Sequence, residues 1–171
     1  MSNICGYMEN DFYDDVDVVF IDSGMVSDEY LSMQKQVDFT FDALSRFGSR
    51  NIVIKLSPYC NQEKIDYICS ICAGKNNIKV NLENISVPWE VVFFNNKHTL
   101  SDATISTYMS TAAFTPFLFF GVQTDITVLS KLVTGQFSMS VHYKILHDQY
   151  CELLNVIRPL YKNNTIDIPD T

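Results

Sequence analysis

Apolar positions recur along this chain at two alternating spacings. Residues 16–22, VDVVFID, make an apolar run ending at Asp22-Ser23-Gly24, as expected of a strand buried on both faces and closed by a turn. From 27 to 47, Tyr30, Leu31, Met33, Val37, Phe41 and Leu44 fall at helical spacing, with Ser27, Asp28 and Glu29 at the start and Gly48 as the stop. Residues 51–56, NIVIKL, predict a second buried strand closed by Ser57-Pro58, and 61–73 a helix stopped by Gly74. A shorter strand over 77–82 leads to VPWEVVFFNN, a short helix with Pro88 in its first turn. The β-branched stretch 103–108 predicts a fourth strand, after which Ser110-Thr111-Ala112 opens another helix, and FLFFGV (117–122) reads as a fifth strand. A long helix over 140–161 carries Tyr143, Leu146, Tyr150, Leu153, Leu154 and Ile157 on one face, with Pro159 bending or ending it.

Strands alternating with helices of this length predict an α/β fold: a Rossmann-like parallel sheet with right-handed crossovers, helices on both faces and a long C-terminal helix. The expected layout is a polar, acidic leader or linker over 1–15, a nucleotide-binding-type domain over 16–138, and a C-terminal helix and tail over 139–171. In such sheets ligands sit beyond the carboxyl ends of the strands, near the switch in strand order. Attention therefore falls on the loops after Asp22, Leu56, Leu82 and Tyr108.

Composition narrows the choice. The 171 residues, 47% hydrophobic and 19% charged, suit one globular domain. A net charge of −8 excludes a nucleic-acid backbone as the natural partner and leaves any anionic ligand to be held by local dipoles. Five cysteines show no framework spacing; Cys69-x-x-Cys72 lies in an amphipathic helical stretch and reads as buried thiols, in keeping with a reducing compartment. His98, His142 and His147 match no metal spacing. With neither a basic start followed by an apolar run nor a span long enough for a bilayer, the expectation is a cytoplasmic protein without an integral membrane segment.

At the strand ends the polar residues are of related kinds. Ser110 and Thr111 stand where a helix begins, so their hydroxyls and the free N–H groups make an anion site, although an N-cap role alone also accounts for Ser110. Glu90, after Pro88 and Trp89, is placed to accept hydrogen bonds from a vicinal diol such as ribose offers, or simply to complement the helix dipole. Lys55, Ser57 and Pro58 set a cation and a hydroxyl over the same crevice, or Lys55 snorkels. Asp22 faces the crevice or forms the turn.

The ordered segments NIVIKLSPYC, ISVPWEVVFFN and DATISTYMSTAAFTPFLFFG, over about residues 16–122, resemble the C-terminal, donor-binding domain of bacterial sialyltransferases and polysialyltransferases of the two-domain GT-B fold. That family shares a strand ending in Lys-x-His-Pro, a Pro-x-Glu segment, and a strand leading to a Ser-Ser or Ser-Thr pair; FIDSG, with Asp22, Ser23 and Gly24, fits its preceding strand and turn. The resemblance implies that Ser110 and Thr111 hold the phosphate of a CMP-sialic-acid-type nucleotide sugar and Glu90 its ribose, with no metal or other cofactor. Ser57 stands at the family's histidine and Pro58 is kept. A serine neither acts as an acid nor carries charge near neutral pH, so turnover is expected to fall about 10²–10⁴-fold.

The family's acceptor and catalytic base lie on a second, N-terminal domain, and these 171 residues are expected to hold the donor domain without it. The expectation is thus one half of a GT-B glycosyltransferase in bacterial polysaccharide biosynthesis, binding donor and turning over poorly alone, partnered by a separate acceptor-binding domain or a second copy. The alternative is a non-catalytic binding or assembly module on a degenerate glycosyltransferase fold. An unrelated dinucleotide binder is disfavoured, since the first strand lacks G-x-G-x-x-G and no P-loop is present.

Overall fold

Strand β1 (Val18–Ile21) lies inside a six-stranded sheet, flanked by β2 (Ile52–Lys55) and β4 (Thr104–Thr107). The computed structural model describes residues 11–22, 32–83, 85–136, 141–162 and 165–169. β3 (Ile78–Val80) extends one wing, and β5 (Ile126–Val128) and β6 (Ile166–Asp167) extend the other, in the order β3-β2-β1-β4-β5-β6. Every strand pair is parallel. This is the Rossmann-like α/β domain that the alternating spacings predict. Strand order reverses at β1, so the connections leaving β1 and β4 diverge and open a crevice at their carboxyl ends.

All residues of β1, β2 and β4 are buried, because helices cover both faces. The pleat sends Val18 and Phe20 to one core, and Val19 and Ile21 to the other. The first core is closed by α1 (Met33–Leu44), α2 (Gln62–Cys72) and Leu132 and Val133 of α6 (Ser130–Gln136). The second is closed by α3 (Trp89–Asn95), Leu100 of the single turn α4 (Lys97–Leu100), the segment leading into α5 (Thr115–Phe120), and α7 (Val141–Ile157). Local chemistry sets the helix starts: Ser32 and Asn61 are N-caps whose side chains accept from the backbone N–H of Lys35 and Lys64. No helix among the described residues is long and apolar enough to cross a membrane.

Several boundaries differ from the sequence pattern. The run 117–122 is no strand: Pro116 occupies the first turn of α5, and Gly121, at φ 66°, ends it in the left-handed conformation that glycine adopts without strain. The fifth strand comes later, at Ile126–Val128, and the tail supplies a sixth. Pro88 is the N-cap residue of α3 rather than its first helical residue. The first predicted helix runs from Met33 to Leu44, with 27–31 outside the described residues, and a 3-10 turn (Ser45–Phe47) carries the chain to Gly48. On α7, Tyr150, Leu154 and Ile157 are buried as the apolar face requires, whereas Leu146 is 43% exposed; the Tyr143 side chain lies outside the described ones.

Of the acidic segment 1–15, the residues from Asp11 on are described. Asp11–Tyr13 form a 3-10 turn, and Tyr13 is fully buried, its hydroxyl accepting a hydrogen bond of 3.0 Å from Asn81 Nδ2 beyond β3. Acidic neighbours hid an aromatic that anchors the segment. Tyr13→Ala is therefore expected to lower the unfolding free energy by about 3–5 kcal/mol in urea denaturation. A frayed leader would lose almost nothing.

Candidate functional site

Pairing register sets Lys55, Ile21 and Thr107 side by side on the last level of the three central strands. The Thr107 hydroxyl donates to the carbonyl of Ile21 (3.2 Å) and accepts from the backbone N–H of Ser110 (3.1 Å). One side chain thus ties the end of β1 to the loop after β4. Ser110 is the N-cap of the 3-10 turn Thr111–Phe114, its Oγ accepting from Ala112 N at 3.3 Å, while its carbonyl receives the Tyr150 hydroxyl from α7 at 3.4 Å. Burial pushes the Tyr150 phenol far up, so it acts as a neutral donor. Thr111, the first residue of the turn, is exposed. The turn spans four residues and α5 only six, so the macrodipole at this end is small.

Two strands away, Lys55 is 3% exposed, and its ammonium is spent on backbone: it donates to Leu56 O (3.1 Å) and to Ile85 O (3.0 Å) in the β3–α3 connection. Desolvation lowers its pKa to about 8, and the negative charge of Glu90 partly offsets that fall. Glu90, in the first turn of α3, is half-buried. Lys55 is thus a clasp between two loops, neither snorkelling to solvent nor standing free over the crevice.

Ser57 and Pro58 open a tight turn after β2. The Ser57 carbonyl accepts from Cys60 N (3.0 Å) and its hydroxyl from Tyr59 N (3.3 Å); Pro58 and Tyr59 project into solvent. Ser57 therefore has a defined local task in this turn.

Asp22 belongs to the other face. Both its carboxylate oxygens accept from Lys64 Nζ on α2, at 2.9 and 3.1 Å, with side-chain exposures of 9% and 15% for Asp22 and Lys64. The pair sits in a narrow cleft lined by Phe20, Thr40, Ile54 and Ile68 between the sheet and helices α1 and α2. Cys60 lies within the field of both charges, and burial raises its thiol pKa. Ser23 and Gly24 fall outside the described residues.

The structure thus gathers Lys55 and Glu90 on the α3 side and sets Ser110 and Thr111 at the adjoining end of β4, while Asp22 is drawn to α2. Sequence reasoning missed Thr107, Tyr150 and Lys64. Thr107 read as part of a β-branched strand, Tyr150 as part of a helix's apolar face, and Lys64 carried no reading of its own; only three-dimensional proximity reveals their roles. Cys69 and Cys72 are half-buried free thiols on α2, with Cys72 raised by burial to about 11, a value that suits packing and not reactivity. Among the described residues, no group of three or more His, Cys, Asp or Glu side chains is placed to hold a metal ion. No protein-family model matches the chain, and no curated protein is similar to it in sequence.

Proposed function

We propose that the chain binds the CMP portion of a sialic-acid-type nucleotide sugar, as the donor-binding half of a sialyltransferase-like glycosyltransferase. The observation that carries the reading is the alignment, along one carboxyl edge of a sheet ordered β3-β2-β1-β4-β5-β6, of an acidic helix start at Glu90 with the hydroxyls of Ser110 and Thr111. The hydroxyls donate to phosphate oxygens, and the carboxylate accepts from the ribose diol. Such a site suits an acidic chain, because it needs no positive surface field.

In the proposed reaction an acceptor hydroxyl attacks the anomeric carbon, the new carbon–oxygen bond replaces the bond to the phosphate, and CMP leaves with the electron pair. This chain's contribution is to bind and orient CMP. Ser57 offers its leaving oxygen a hydrogen bond at most, so the acceptor and its base belong to another domain or subunit, and turnover by this chain alone is slow. The reading includes a cytoplasmic location, where free thiols such as Cys60, Cys69, Cys72 and Cys151 persist.

A second reading, a binding or assembly module without catalysis, is favoured by one surface. Phe94, Leu118 and Phe119 are 38%, 57% and 68% exposed, and rings of Phe94 and Phe119 pack on Phe120. Apolar groups gathered on one surface are a common mark of an interface.

Titration with CMP, read by the emission of the single tryptophan, Trp89, beside Glu90, is expected to saturate below millimolar concentration. Glu90→Gln is expected to weaken binding about tenfold, as loss of a charged hydrogen-bond acceptor does. A folded sample that gives no response at millimolar CMP, by emission or by thermal shift, removes the donor-binding reading. Light scattering on the same samples separates the second: a strict monomer that binds CMP argues against an assembly role.

A further inference from the structure

Burying an ammonium group is costly, and proteins keep one buried where it is hydrogen-bonded and paired. Lys55 meets that condition in an unusual way, because its bonds go to backbone carbonyls of two different loop entries. Leu56 continues its own strand. Ile85 lies 30 residues on, in the connection that reaches Glu90 five residues later. The bond to Ile85 O therefore fixes the start of α3 relative to the end of β2. Glu90 lies within the field of the same cation and is half-buried in the first turn of α3.

We propose that Lys55 is a positioning residue for ligand recognition: through Ile85 it holds Glu90 in register with the ribose diol, and so sets the preference for ribonucleotide over deoxyribonucleotide. The role rests on the CMP-binding reading and goes beyond it, since Lys55 itself touches no ligand. Phosphate recognition at Ser110 and Thr111 does not depend on it.

The test compares CMP with dCMP, which keeps the base and phosphate and lacks the 2′-hydroxyl. The unsubstituted chain is expected to prefer CMP about tenfold, the usual effect of one hydrogen bond to a charged group. Lys55→Met is expected to bring the two affinities together while dCMP binding changes less than about threefold. Glu90→Gln does the same, and the double variant loses no more than either single one, the mark of two residues acting as a unit. A merely structural role would instead weaken both ligands equally.

A folded Lys55→Met chain that keeps the tenfold preference overturns the role, and so does a folded Lys55→Leu chain that keeps it, should the methionine variant not fold. If the unsubstituted chain binds dCMP as well as CMP, Glu90 reads no diol and the role is likewise overturned. Failure to bind either nucleotide overturns the donor-binding reading itself, and this role with it.

Discussion

The Thr107 hydroxyl is the constraint on which the site depends. It donates to the last carbonyl of β1 and accepts from Ser110, so the two strands that part at the switch in strand order are tied where they part. Removing that bridge would take one hydrogen-bond partner from the Ile21 carbonyl and from the Ser110 N–H at the end of a buried sheet, where an unpaired polar group costs about 1–3 kcal/mol. With it, Ser110 caps the following turn and Thr111 faces outward. The Tyr150 hydroxyl on the Ser110 carbonyl adds α7 to the same arrangement, so the C-terminal helix also supports the site.

Charge is distributed along this edge by face. On the α1–α2 side, Lys64 neutralises Asp22 in an apolar cleft. On the α3 side, Lys55 is consumed by two carbonyls and balanced by Glu90. What the proposed crevice offers a ligand is therefore hydroxyl donors at one end and a carboxylate at the other. That chemistry suits a phosphate joined to a diol, with neither lysine offered as a direct contact to the ligand.

The sheet was legible because strands covered on both faces are written as apolar runs: β1, β2 and β4 fall within the predicted segments. The aromatic run at 117–122 misled because its composition favours a strand, while Pro116 in the first turn and Gly121 at the C-cap make it a helix of six residues. β6, with two residues, is too short to leave a pattern. At the site, Glu90 and Ser110 were legible as helix-start residues. Lys55 was legible as a cation at a strand end, but its partners were not, since a bond to a backbone carbonyl 30 residues away leaves no trace in side-chain identity. Asp22 was read as facing the crevice or forming the turn, and its partner Lys64 was not foreseen because it lies beyond α1 and β2, on α2.

If one carboxyl edge, and no other surface, receives the nucleotide, backbone amide shifts in a nitrogen-15 NMR titration with CMP will map that footprint residue by residue. Changes concentrated at Ser57, at 85–90 and at Ser110 and Thr111 are the predicted result. Changes confined to Gly48, Asn77 and Asp125 at the amino edge, or to Phe94 and Phe119 on the apolar surface, would contradict it.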